Sequence, residues 1–201
     1  MGASLSEQNT PLLSESSSED HAPASTVQPE DAYFMQLAID EANKAPLIGE
    51  VPVGAVVVHN GEVIARAHNR RSVDHDPSAH AELIAMRDAA KHIQDWRLED
   101  CTVYVTLEPC PMCSGAMVLA RVARCVYGCT DPKAGYMGSL ADLSQDERLN
   151  HRFPVTPGVM ATECSDLLRT FFRGIRAKKK AERKARKALE RLPTTTNTSN
   201  D

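Results

Sequence analysis

The stretch VPVGAVVVHNGEVIARAH, residues 51–68, limits what this chain can fold into more than any other. Its first half is a run of β-branched residues, its second half resumes that pattern, and Asn60-Gly61 stands between them. A two-residue hairpin turn needs positive φ at both central positions. Asn and Gly tolerate it, so the pair predicts an antiparallel hairpin. Around the hairpin, helical and strand patterns alternate. Phe34, Leu37, Ala38 and Ala42 have helical spacing within 31–45. Asp76 and Pro77 can supply an N-cap and a first helical residue. The helix they would open has one broad buried side of Ala79, Leu83, Ala85, Met86 and Ala89. CTVYVTLE (101–108) predicts a buried strand, and Pro111 opens a second helix. RCVYG (124–128) predicts a short strand, and a last helix begins near Val159 and runs to about Leu192. Residues 130–157 carry turn signals without a clear period. Alternation of this kind places helices on both faces of one sheet. A sheet entered through a hairpin is mixed rather than wholly parallel. The expected class is α/β, a three-layer α/β/α sandwich.

The chain has 201 residues, 42% hydrophobic and 25% charged, which suits one globular domain. Only 4% are aromatic, so the core must be aliphatic. The net charge of -4 conceals a strong asymmetry between the ends. Residues 1–31 hold six acids and no Lys or Arg, whereas residues 171–191 hold ten Lys or Arg against two Glu. Residues 1–29, rich in Ser, Pro and acids, are expected to be a disordered tail. The main domain is expected over 30–176, a basic helical extension over 177–192, and a frayed tail over 193–201. No apolar run approaches the length of a membrane span, and no signal peptide is visible, so a cytoplasmic, reducing setting is expected. MGASLS matches an acylation pattern at Gly2. A single acyl chain flanked by acids, however, holds a membrane only marginally.

Six cysteines in such a setting read as metal-binding or redox before they read as disulfides. Cys110 and Cys113 form C-x-x-C, open to three readings: a metal clamp, a redox dithiol or two small buried residues. His80 alone would be an ordinary core or surface histidine, and Glu82 alone a solvated helix residue. Taken together the four change the reading. One His and two Cys suit tetrahedral zinc, and three protein ligands leave a fourth position for water. A structural site would be closed by a fourth ligand, which Cys125, Cys129 or Cys164 could supply. The bland reading of Cys101, Cys125 and Cys129 is small buried side chains. Helix N-termini lower thiol pKa values, so both cysteines of the pair are expected to bind as thiolates. Positions two apart on a regular helix diverge by about 200°. His80 and Glu82 can therefore converge only if His80 lies in the first turn. A carboxylate beside activated water is suited to general acid/base work in attack on an electrophilic carbon.

HAE followed by PCPMC resembles the nucleoside and nucleobase deaminase superfamily, whose H-x-E and P-C-x-x-C signature is general knowledge of that chemistry. EVPVGAVVVHNGEVIARAHNR, HDPSAHAELIAMR, YVTLEPCPMCSGAM, GSLADL, NHRFPV and FFR are further similar to the bacterial tRNA-specific adenosine deaminases, over about 31–176. The resemblance implies a cytidine-deaminase-like fold with a central mixed five-stranded sheet. It implies one Zn2+ held by His80, Cys110 and Cys113, with Glu82 as proton shuttle. The implied reaction is hydrolysis of adenosine to inosine at the wobble position of an arginine tRNA anticodon. Asn69, Val53 and the backbone at Ala81 match the family's base pocket, and Asp131 its RNA-facing loop. A homodimer is also implied. The chain departs from the pattern at Arg71, where members often carry proline. That change could alter the loop or add a phosphate contact.

A charge run such as RGIRAKKKAERKARKALER is commonly a solvated face, but Glu is too scarce here for balanced ion pairing. The excess reads as a footprint for RNA backbone, with Arg70, Arg71, Lys133, Arg173 and Arg176 as the expected phosphate contacts. Phe171 and Phe172 read first as core residues. Two alternatives share the motifs: a deaminase of free guanine, cytosine or a nucleoside, and a non-catalytic RNA-binding module with structural zinc.

Overall fold

The structure, a computed structural model, describes residues 26–189. The acylation pattern at Gly2, most of the acidic tail and the chain past 189 lie outside the described residues. In chain order the elements are α1 (Asp31–Ala42), a 3-10 turn (Ala45–Ile48), β1 (Gly54–His59), β2 (Glu62–His68) and α2 (Ala81–Ile93). They continue with β3 (Cys101–Leu107), α3 (Pro111–Leu119), β4 (Arg124–Cys129), β5 (Val155–Pro157) and α4 (Ala161–Leu189). The five strands form one sheet in the order β2-β1-β3-β4-β5. The β1 strand is antiparallel to both β2 and β3, while β3, β4 and β5 run parallel, so the sheet is mixed as expected. Asn60 and Gly61 both take positive φ, 50° and 79°, which closes the hairpin.

Strand alternation sorts the core into two layers. Ala55, Val57, Val103, Val105, Cys125 and Tyr127 face α2 and α3, which contribute Ala81, Ala85, Met86, Ala89, Met117 and Val118. Val56, Val58, Tyr104 and Val126 face the other way, toward Phe34, Met35, Ala38 and Ile39 of α1 and Cys164 of α4. Side chains on that second face are small where backbones approach. A Cβ on Gly54 would collide with the carbonyl oxygen of Ala38, so glycine lets α1 lie directly on β1.

Three local readings need correction. The α2 helix starts at Ala81 rather than Pro77. Asp76 caps no helix; its Oδ1 accepts from the backbone N–H of Ser78 at 2.7 Å and from its hydroxyl at 2.6 Å, closing a local turn. The β1 strand begins at Gly54, because Pro52 has no N–H to donate and Val53 bonds back to the carbonyl of Val51. The β5 strand gave no sequence signal. It has three residues, one of them Pro157, and it sits at the sheet edge, where a proline is tolerated.

Asp31, at the border of the acidic tail, is fully buried. Its carboxylate accepts from both terminal nitrogens of Arg124 at 2.7 Å and from Tyr104 Oη at 2.9 Å. Arg124 also donates to Thr156 Oγ1 at 2.7 Å, so one bidentate pair ties the start of α1 to β3, β4 and β5. Removing one partner leaves a buried charge unmatched. Asp31→Ala should therefore lower the unfolding free energy by about 3–5 kcal/mol in urea titrations, whereas a loss below about 1 kcal/mol would place the pair among exposed ones.

Candidate active site

Two helices begin at would-be metal ligands. His80 is the N-cap of α2 and Cys110 the N-cap of α3, with extended backbones at φ -82°, ψ 148° and φ -74°, ψ 171°. N-cap positions commonly carry Ser, Thr, Asp or Asn, whose side chains bond the first helical N–H groups. Neither side chain does so here. Each is turned away from its helix instead, and Cys113 joins from the first turn of α3. Because His80 lies outside the helical spiral, the 200° divergence from Glu82 does not arise.

Cys110 Sγ and Cys113 Sγ are 3.6 Å apart, and they lie 3.7 and 3.6 Å from His80 Nδ1. Ligand bonds of ordinary zinc length at tetrahedral angles give edges of about 3.8 Å between sulfurs and about 3.6 Å from sulfur to nitrogen. The three donors therefore fit one zinc ion. Among the described residues, no Cys, Asp or Glu joins them as a fourth ligand. Cys101, Cys125 and Cys129 are free and buried, as their bland reading held, and Cys164 is free and buried as well.

The two thiols respond strongly to one another. The Cys113 thiol hydrogen-bonds to Cys110 and, with His80, pulls Cys110 down to about 4. Donation to Cys110, together with burial, pushes Cys113 far up while no metal is bound. His80 is raised, chiefly by its hydrogen bond with Cys110. The pair shares one proton, which a dication can displace. Glu82 lies in the first turn of α2, 4% exposed, and burial raises its carboxyl above the usual range. Its Oε2 is buried and has no hydrogen-bond partner among the described residues.

A cavity of about 510 Å³ opens onto this group, lined by Val53, Asn69, His80, Glu82 and Cys110, with Arg71, Asp131, Lys133, Leu168 and Phe172 also in its wall. Asn69 is buried, and its Oδ1 accepts from the backbone N–H of Ala81 at 3.0 Å. That bond uses the Ala81 donor and leaves the Asn69 amide NH2 without a partner among the described residues. The Val53 carbonyl accepts from the Asn69 N–H at 3.1 Å, which fixes the two wall residues together. The Asp131 side chain turns inward to its own loop, accepting from the N–H groups of Lys133 and Ala134. Arg70 does not reach the cavity; it forms a fork with Asp74 at 2.9 and 2.8 Å. Arg173 and Arg176 are exposed on α4, beyond the cavity wall.

Two buried glutamates hold the cavity's loops, and the sequence reading overlooked both. Glu108 accepts from the backbone N–H groups of Asp131 (2.9 Å), Met137 (3.1 Å) and Ser139 (2.9 Å), and from the Ser139 hydroxyl. Burial pushes this carboxyl up, but the four donors outweigh it and hold it below the usual range. Gly135 packs so closely that any side chain there would strike the carboxylate. Glu50 does the same for the loop of Arg71, accepting from the N–H groups of Ser72 and Val73. The available signal was an acid set against an apolar strand run, which must find donors if it is buried.

Residues 28–129 match the family described as the cytidine and deoxycytidylate deaminase zinc-binding region. The chain is 54% identical over 155 residues to the tRNA-specific adenosine deaminase of Bacillus subtilis (strain 168), covering 77% of this chain and 96% of that protein. It is 46% identical over 151 residues to the tRNA-specific adenosine deaminase of Streptococcus pyogenes serotype M1, covering 75% and 88%. A solved structure from work on A-to-I editing by tRNA:A34 deaminases at the wobble position of transfer RNA superposes with a TM-score of 0.66 at 40% identity. That match covers 68% of this chain and 99% of the other.

The ligand geometry predicts that Cys113→Ala loses its zinc in elemental analysis after dialysis, while Glu82→Ala keeps about one ion per chain. Glu108→Ala should also keep its zinc. It should lower the unfolding free energy by about 1–3 kcal/mol and speed amide exchange at Met137 and Ser139; unchanged exchange there would remove the loop-holding role.

Proposed function

Because this chain belongs to the tRNA-specific adenosine deaminases of the cytidine and deoxycytidylate deaminase family, we propose that it hydrolyses the wobble adenosine of a tRNA anticodon, that of an arginine tRNA, to inosine. The observation that carries the reading is a buried carboxyl, Glu82, sharing one cavity with His80 and Cys110, two of the three clustered zinc donors. When bound by His80, Cys110 and Cys113, Zn2+ supplies Lewis acidity that makes water a competent nucleophile at neutral pH.

The chain's own residues do the rest. Val53 and Asn69 line the slot for the base, and the free Asn69 NH2 can donate to an acceptor on the purine. Glu82 takes a proton from the attacking water and delivers it to purine N1 as the oxygen bonds to C6. It then carries the proton of the new C6 hydroxyl to the exocyclic amine, the C6–N6 bond breaks as C6 regains a carbonyl, and ammonia leaves. Adenosine and water thus become inosine and ammonia. Burial suits the carboxyl to both directions, since a raised pKa brings the acid and base forms closer in energy near neutral pH. The half-open wall admits a base that is already unpaired, as in an anticodon loop, at little unstacking cost. Arg71 and Lys133 stand in that wall as phosphate contacts, and Arg173 and Arg176 extend them on α4. The Arg71 departure from proline is read as an added phosphate contact. Arg70 takes a lesser part because Asp74 holds it. The enzyme works as a homodimer in the cytoplasm. No helix among the described residues is long and apolar enough to cross a membrane.

Incubating the zinc-loaded chain with total tRNA and locating inosine by sequencing tests the reading. Inosine at position 34 of arginine tRNA is the expected result, and inosine nowhere would end it. In Glu82→Ala the rate should fall by about 10²–10⁴-fold or more with zinc retained; turnover near that of the unaltered chain would remove Glu82 from the chemistry.

A further inference from the structure

Resting on the function proposed above, we propose that the C-terminal half of α4 binds the phosphate backbone of the double-helical RNA arm that flanks the target base. The helix runs unbroken from Ala161 to Leu189, and every residue from 172 to 187 is exposed. Its first turns pack on the sheet through Cys164 and Leu168, and beyond Phe171 it projects into solvent. Residues 173–187 carry nine Lys or Arg and a single Glu. They are not scattered. At 100° per residue, Leu168 and Phe172 in the cavity wall share an arc of about 120° with Arg176, Lys179, Lys180, Arg183 and Lys187. The face of α4 that closes the cavity thus continues outward as a cationic stripe. From Phe172 to Lys187 it extends about 22 Å at the ordinary helical rise.

Charge and shape select the partner. Gly174, Ala177, Ala181 and Ala185 occupy the opposite face, so the helix has no broad apolar side to sink into a lipid surface. A balanced ion-pair helix would place Glu three or four residues from each Lys or Arg, and only Glu182 is there. A regular row of cations on a rigid rod fits a polymer with regularly spaced anions. With the target base in the cavity, RNA lying along this face must continue away from the loop, which is where its paired arm lies. Such contacts set affinity and register rather than base choice, so they can vary without touching the chemistry.

The test uses the zinc-loaded full chain and a variant in which Lys179, Lys180, Arg183 and Lys187 are all alanine. Alanine is a good helix former, so the rod itself persists, as circular dichroism can verify. Two substrates are compared over a range of salt: intact tRNA, and a single-stranded oligonucleotide bearing only the anticodon-loop sequence. On tRNA the variant should show Kd and KM raised by about tenfold or more, with kcat unchanged. The slope of log affinity against log salt should shrink by roughly 3, because each lost phosphate contact removes about 0.7–0.9. On the single strand the two proteins should agree. Lys178 points away from the stripe, so Lys178→Ala should leave the slope intact while Lys180→Ala lowers it by about 1. Equal tRNA affinity and slope in the quadruple variant and the unaltered chain would overturn the proposal, as would equal losses on both substrates. Binding is read apart from turnover. A chain that binds tRNA through the stripe but forms no inosine would sink the deaminase reading and leave this one standing.

Discussion

Everything in the site follows from two helices that start at the same point. The N-termini of α2 and α3 converge on His80, Cys110 and Cys113, and each brings roughly half a positive charge from its unpaired N–H groups. A dication added there would be repelled by both. The chain counters this with anionic donors: Cys110 is already a thiolate near neutral pH, and the shared proton of Cys113 is the one a metal displaces. Two thiolates then neutralise the metal, and the helix ends keep the surrounding potential positive. That residual potential favours a nucleophile with anionic character. Spending both N-cap side chains on the metal forgoes two capping interactions, each of about 1 kcal/mol, so the helices depend on packing for their stability.

The sheet supplies that packing. The α2 and α3 helices lie on one face through alanines, Met86 and Met117, while α1 and α4 lie on the other. Small residues at these contacts bring the helices close, and closeness fixes their ends to within the tolerance of a metal site. The loops are held by a different device. Glu50 and Glu108 are buried carboxylates whose lone pairs are taken up by loop N–H groups, so each loop is fastened where it leaves the sheet. A carboxylate can accept several donors at once, which a neutral amide in its place could not match.

How much of this was legible in the sequence depended on range. The Asn60-Gly61 hairpin, the β3 strand and the Pro111 helix start are local patterns, and they stand where period and turn chemistry put them. The zinc donors were legible because their residue types are rare in combination. The start of α2 was not, because Asp76-Pro77 is a good helix opening whose residues instead close a turn, a choice made by the tertiary position of His80. The β5 strand was too short to show a period, and its identity comes from the β4 edge it joins. The burial of Asp31, Glu50 and Glu108 had no signal in the sequence, because burial of a charge is a property of partners distant along the chain. Arg124 is 93 residues from Asp31, and Ser139 is 31 from Glu108. The Arg70 fork with Asp74, four residues on, was not anticipated either, although both partners lie close in the chain.

A division of labour follows from where each kind of interaction sits. Around the buried Glu82 charges interact strongly, and a raised carboxyl beside zinc donors can decide chemistry on a single atom. Along α4 every cation is solvated, each contact is weak and screened by salt, and only their number and spacing matter. In the proposed division, the first region discriminates between bases but has little reach, and the second has reach but no means of telling bases apart. One continuous helix joins them: Leu168 and Phe172 border the cavity, and the same face carries Arg176, Lys180 and Arg183 outward. In the proposed binding mode, the register of RNA backbone along the outer half sets the position of the base at the inner end. A site whose base recognition is confined to a small slot can thereby act on one residue of a long polymer.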